Sequence, residues 1–259
     1  MEIVPLASAE EIAHLAADTI EDLVRRHPAA VLGLATGSTP LPTYRELLRR
    51  HRAGRGPSYH AVRTFNLDEY VGLAPGHEQS YLATIHRELT DGLGIDRDRV
   101  HGPDPADLVT AGQRYERAIA EAGGIDLQLL GIGGNGHLAF NEQGSSLASL
   151  TRVKTLTRRT RADNARFFGS IDEVPHHVLT QGVGTILRAE HLVLIATGAA
   201  KADAVAAAIE GPLSASCPAS ALQLHPHVSV LLDPGAAARL ARLDYYREVY
   251  ADKPGWQRL

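Results

Sequence analysis

The chain has 259 residues, 44% hydrophobic and 22% charged, with a formal net charge of −4. That length suits one sizeable α/β domain, and the charge supplies no basic field to recruit nucleic acid. The single cysteine, Cys217, excludes an intramolecular disulfide and a cysteine metal cluster and fits a reducing, cytoplasmic setting. The amino-terminal stretch MEIVPLASAEEIAHLAADTIEDL carries early acids and no long apolar run, so neither a signal peptide nor a membrane span is expected.

Short β-branched runs alternate with longer amphipathic stretches. In chain order the patterning predicts a helix over Ala9–Arg26, with Ile12, Leu15, Ile20 and Leu23 near one face, then a first strand at Ala30–Ala35 and a helix at Leu41–Arg52. A strand at Val62–Leu67 follows, with helices at Ser80–Leu89 and Ala106–Ala122 and a strand at Leu127–Gly131. Helices are expected at Arg161–Phe168, Gly182–Arg188, Lys201–Ile209 and Ala236–Val249, and strands at Leu192–Ala196 and Val228–Leu232. Continuous apolar strands separated by helices predict a mainly parallel, Rossmann-like sheet in a three-layer α/β/α domain spanning residues 1–259. In such sheets ligands bind beyond the carboxyl ends of the strands. The Arg- and Thr-rich stretch 151–175 shows no clear strand and reads as a helical lid over roughly residues 151–180.

Four junctions at strand ends carry candidate chemistry. Gly37, Ser38 and Thr39, followed by Pro40, form a turn into a helix, where free amides favour an anion; a plain capped turn would look the same. Thr197–Lys201 repeats the arrangement, with Lys201 in a first helical turn where a cation opposes the helix dipole unless an anion intervenes; a solvated lysine is the plainer alternative. In FNLDEY, Asp68 and Glu69 follow a buried strand, so a partly desolvated carboxylate could serve as a general base; the alternative is a capping Asp beside an exposed Glu. In GIGGNGHLAFNE, glycines bring the chain close to a ligand, and His137 can exchange protons with Asn135 and Glu142 as orienting partners. The loop lacks the helix opening and downstream acid of a dinucleotide fingerprint. The histidine pairs His176-His177 and His225/His227 lack zinc-site spacing and read as solvated loop residues, so no metal is expected.

The blocks LATGSTP, FNLDEYVGL, GIGGNGHLAFNE, SSLASLTRVKTLT, ARFF, LTQGVGTIL and LQLHP together resemble the glucosamine-6-phosphate deaminase family, in family order and over nearly the whole chain. The resemblance implies ring opening, aldose–ketose isomerisation and release of ammonia from glucosamine 6-phosphate, without metal or organic cofactor. It implies Asp68 as the base between carbons 2 and 1, and His137 as the ring-opening acid/base, oriented by Asn135 and Glu142. It also implies Gly37, Ser38, Thr39, Arg166 and Lys201 around the phosphate. Some members carry Asp where this chain has Asn135. Allosteric members are hexamers that bind N-acetylglucosamine 6-phosphate between subunits; the residues resembling that site are Ser145, Ser146, Arg152, Lys154 and Thr155, with Tyr245 linked to the transition. A homohexamer activated by that ligand is therefore expected. The competing readings are a 6-phosphogluconolactone hydrolase, in which the DEY acid would have less to do, and a sugar-phosphate sensor. A first strand near residue 30 leaves a sensor no room for a helix-turn-helix.

Overall fold

The computed structural model describes residues 1–74 and 76–259. In chain order its elements are β1 (Glu2–Pro5), α1 (Ala9–Arg26), β2 (Val31–Leu34), α2 (Leu41–Arg52), β3 (Arg63–Asn66) and β4 (Asp68–Val71). Then come α3 (Tyr81–Ile85), α4 (Asp91–Leu93), β5 (Val100–His101), α5 (Ala111–Glu121), β6 (Leu127–Leu130), β7 (Arg152–Thr155) and α6 (Arg158–Asn164). The chain finishes with β8 (His177–Thr180), α7 (Val183–Ile186), β9 (His191–Ala196), α8 (Ala202–Ile209), β10 (Val228–Leu232) and α9 (Leu243–Ala251).

Seven strands form one sheet in the order β1-β10-β9-β6-β2-β3-β5, and its neighbouring pairs are all parallel. Alternate residues along the central strands serve opposite faces. Leu32, Leu129 and Val193 pack in one core with Ile12, Ile20 and Leu47 of α1 and α2. Val31, Leu130 and Leu194 pack in a second core with Tyr115 and Ile119 of α5 and Val205 of α8. The result is the expected three-layer α/β/α architecture. From β2 the chain moves to β3 on one side, whereas β6 hands on to β9 on the other. The order therefore reverses between adjacent β2 and β6, a crevice where α/β sheets place ligands.

Several expectations need correction. The first strand is Glu2–Pro5, not the one near residue 30; it is an edge strand paired with β10. A second, antiparallel sheet, β4-β8-β7, was not foreseen, and β7 lies inside the stretch expected to lack a strand. The helix expected over Ala236–Val249 is α9 alone. The Glu210 carboxylate accepts the N–H groups of Ala241 (2.7 Å) and Arg242 (2.9 Å), fixing a fresh helix start there. The helix expected over Ser80–Leu89 runs on to Leu93 through a π-helical turn at His86–Thr90. His225 is buried rather than solvated, with its Nε2 2.7 Å from the Ala189 carbonyl.

The segment between β7 and β8, where a helical lid was expected, holds α6 and two 3₁₀ turns. The second sheet gives it a footing: Tyr70, Phe140, Leu156, Val174 and Val178 form a small separate core, and Phe168 packs edge-on against Tyr70 at 5.5 Å. Arg161 ties the lid to itself by donating to the carbonyls of Val174 (3.1 Å) and Ile171 (2.6 Å). No helix among the described residues is long and apolar enough to cross a membrane.

Candidate active site

The sequence places its polar junctions immediately after β2, β3, β6 and β9, which lie side by side in the sheet as β9-β6-β2-β3. Parallel strands put these four carboxyl ends on one rim, so segments distant in sequence converge there. A Cβ built on Gly131 would lie 4.0 Å from Thr39, and one on Gly134 would lie 3.8 Å from the carbonyl of Ala200. The loop after β6 thus sits between the two candidate phosphate turns.

Asp68 opens β4 and is 7% exposed. Its Oδ1 has no hydrogen-bond partner among the described residues. Burial pushes the carboxyl up to about 7, against the Thr180 hydroxyl, the Phe140 N–H and the nearby His137, which favour the ionised form. Its neighbour Glu69 has a different task. Glu69 Oε1 accepts the N–H groups of Tyr70 (2.8 Å) and Tyr81 (3.0 Å), and Oε2 accepts that of Leu82 (2.9 Å). Glu69 therefore caps α3, and Asp68 is the carboxylate of the pair with an unpartnered oxygen. The sequence alternatives had this pair reversed, with Asp as cap and Glu exposed. Glu69→Ala orphans three amides, that of Tyr70 in β4 and those of Tyr81 and Leu82 in the half-buried first turn of α3, and should cost about 2–3 kcal/mol, seen as a lower urea midpoint with unchanged slope.

His137 sits in the loop after β6, and a Cβ on Gly133 would fall 2.2 Å from its Cε1, so only glycine leaves room for the ring. Ala139, two residues on, has φ 52°, in the left-handed region where alanine is strained. The turn is held by Asn141, buried, whose Nδ2 donates to the carbonyls of Leu138 (2.9 Å) and Gln181 (2.8 Å).

The hydrogen bonds around His137 fix its tautomer. Asn135 Nδ2 lies 2.7 Å from Glu142 Oε2, an atom that only accepts, so the amide nitrogen faces the carboxylate. Asn135 Oδ1 then faces His137 Nδ1 at 2.6 Å, and Nδ1 must carry the proton. Nε2 has no hydrogen-bond partner among the described residues. Glu142 is held down at about 2, chiefly by His137, with Thr160 and Asn135 adding hydrogen bonds and burial opposing. It is an anion at neutral pH. Thr160, which sequence reasoning missed, reaches Glu142 Oε1 from α6 at 2.7 Å.

The candidate phosphate groups divide between the sheet rim and the lid. Gly37 turns at φ 94° and Gly198 at φ 86°, conformations that suit glycine. Ser38, Thr39 and Thr197 line a cavity of about 200 Å³ against Ala9, Ile12 and Ala13 of α1. Burial, and then the neighbouring charge of Arg166, push half-buried Lys201 below the usual lysine range, while Asp163 opposes. Arg166 comes from the lid, exposed, with its guanidinium 4.8 Å from the centre of the Phe167 ring. Two cations brought close enough to repel suit a ligand carrying more than one negative charge.

The candidate regulatory residues are scattered. Arg152 and Lys154 are two apart on β7 and share a face; Thr155 points the other way. Ser145 is buried, with its N–H on the Glu142 carbonyl at 3.0 Å, and Ser146 is exposed. Tyr245 is exposed on α9 against Tyr246, and no hydrogen bond among the described residues joins it to the other five.

A doubly wound parallel sheet whose rim carries a buried carboxylate and an oriented imidazole, with Lys201 at the rim and Arg166 on the segment between β7 and β8, is an arrangement that suits acid–base chemistry on a small anionic ligand. The chain belongs to the glucosamine-6-phosphate isomerase/6-phosphogluconolactonase family, whose model matches residues 5–231. It is 59% identical to a glucosamine-6-phosphate deaminase of Arthrobacter sp. (strain FB24), with 100% of both chains covered. It is 58% identical to a glucosamine-6-phosphate deaminase of Rhodococcus jostii (strain RHA1), with 99% of both covered. Among solved structures it resembles a monomeric glucosamine-6-phosphate deaminase, at TM-score 0.89 and 42% identity over 92% of this chain and 100% of that one. A 6-phosphogluconolactonase from Trypanosoma cruzi shares the fold at TM-score 0.75 and 21% identity, over 93% and 97%.

Proposed function

We propose that this chain is a glucosamine-6-phosphate deaminase that works by acid–base catalysis. The observation that carries the reading is the pairing of Asp68, buried and poised near neutrality, with His137, whose Nε2 is left free for substrate. His137 takes the proton of the anomeric hydroxyl and returns one to the ring oxygen, giving the open-chain amino aldehyde. Asp68 removes the proton from carbon 2 and delivers it to carbon 1, so the enolamine becomes an imine at carbon 2. Water adds there and ammonia leaves: amino-sugar phosphate plus water gives fructose 6-phosphate plus ammonia. A carboxyl near 7 suits both halves of the Asp68 step, since it must first accept and then donate.

Gly37, Ser38, Thr39, Arg166 and Lys201 hold the phosphate, and Asn135 and Glu142 orient His137. Residues 1–259 work as one domain, with 151–180 as its lid, in the cytoplasm. The lactonase reading has less support: the lactonase structures resemble this one at 15–22% identity, and ester hydrolysis gives a carbon-to-carbon proton carrier no role. Supplying glucosamine 6-phosphate or 6-phosphogluconolactone to the purified protein separates the two. Equal amounts of ammonia and fructose 6-phosphate from the first support the deaminase; acid release from the second alone rejects it.

The basic pair Arg152 and Lys154 is what supports an anion site at β7 and activation by N-acetylglucosamine 6-phosphate. The 42% identical deaminase is described as monomeric, which weighs against the hexamer. Sedimentation as a hexamer, with a lower half-saturation when the acetylated sugar phosphate is added, would support the regulated form. A monomer with unaltered kinetics would remove it.

A further inference from the structure

Glu142 spends both carboxylate oxygens on neutral donors. Oε2 accepts Asn135 Nδ2 at 2.7 Å, and Oε1 accepts the Thr160 hydroxyl at 2.7 Å. The two donors come from different parts of the fold, Asn135 from the loop after β6 and Thr160 from the lid helix α6. The Thr160 hydroxyl is itself oriented. Its backbone N–H donates to Thr157 Oγ1 at 3.1 Å, the cap of α6, and the two hydroxyl oxygens are 2.8 Å apart. Because the Glu142 oxygen can only accept, Thr160 must give it its one proton, and Thr160 Oγ1 then takes the proton of Thr157. Both hydroxyl donors of this relay, Thr157 and then Thr160, point toward Glu142.

That anchoring sets a distance. Glu142 Oε2 lies 3.6 Å from His137 Nδ1, beyond a good hydrogen bond, while neutral Asn135 Oδ1 sits at 2.6 Å. Without a hold on Oε1 the carboxylate is free to rotate toward the imidazole and displace the amide. We propose that Thr160 is a positioning residue: from the lid it pins Glu142 so that Asn135, and not the carboxylate, orients the His137 ring. Its place in α6, six residues before Arg166 in the 3₁₀ turn that follows, also ties the orientation of the ring-opening group to the segment that brings the Arg166 charge near Lys201. The inference rests on the deaminase reading and extends it to a residue that does not touch the substrate.

The test compares wild type, Thr160→Val and Thr160→Ser on glucosamine 6-phosphate, with binding of an acyclic amino-alditol 6-phosphate, which has no ring to open, measured alongside. The valine variant should lose about tenfold in kcat, the scale of one hydrogen bond to a charged group, with KM within about twofold. It should bind the acyclic phosphate as wild type does, and serine should restore kcat. Unchanged kcat in Thr160→Val, a loss confined to KM and acyclic binding, or serine as impaired as valine would each overturn the role of Thr160 while leaving the deaminase reading in place. Wild-type protein that releases no ammonia would remove the deaminase reading and this role with it.

Discussion

Asp68→Asn is expected to lower ammonia release from glucosamine 6-phosphate by about 10²–10⁴-fold while the protein stays folded. The amide fills the same space but cannot take a proton from carbon 2. The substitution should also stabilise the protein on the alkaline side. Burial raises the folded-state carboxyl to about 7, above its unfolded value, so the stability linked to this group is fully present at acid pH and is lost as pH rises through 7. An uncharged amide removes that loss, an effect on the order of 4 kcal/mol above pH 8. Because the loss begins above the unfolded value of about 4, thermal unfolding should show the variant gaining on wild type at pH 5 and gaining more at pH 8. In wild type, the rate should fall as pH drops below about 7, where Asp68 becomes protonated. An active variant, or one less stable than wild type at pH 8, would contradict the assignment.

His137→Gln should be nearly as damaging, about 10²–10³-fold, but for a different step. Glutamine cannot shuttle the anomeric proton, so turnover falls toward the rate of spontaneous ring opening. An acyclic amino-alditol phosphate should bind this variant and wild type alike; a matching loss of binding would make His137 a structural residue. Asn135→Asp probes the same ring more gently. It places a negative charge where Oδ1 now faces Nδ1 at 2.6 Å, favouring the imidazolium, and sets a second carboxylate opposite Glu142 across the 2.7 Å now bridged by an amide. The pH–rate profile should move to higher pH on its acid side, and an unmoved profile would refute the orienting role of Asn135.

The parts of this molecule that were legible in its sequence are those held by local patterning. α1 and α2 match their expected bounds because apolar residues recur at helical spacing and Ser8 caps the first. All five expected strands exist because buried parallel strands are continuous apolar runs. The second sheet was hidden because Asp68–Val71 begins with two acids and becomes a strand only by pairing with His177–Thr180, more than a hundred residues away. The site was legible in its glycines, its histidine and its acids, since each follows a strand. Their division of labour was not. That Glu69 caps α3, and that Thr160 reaches Glu142 across the lid, depends on where the fold brings α3 and α6. Thr157 alone signals a helix cap, and nothing in the sequence says what the hydroxyl of Thr160 touches.

The proposed mechanism turns on one carboxyl group, kept out of water at the start of β4 so that it can both take and give a proton at neutral pH. Carbon-13 NMR titration of the Asp68 carboxyl in the ligand-free protein, assigned by comparison with Asp68→Asn, reads that property directly. A midpoint near 7 is the result this account predicts. A midpoint in the ordinary aspartate range, about 4, would contradict it.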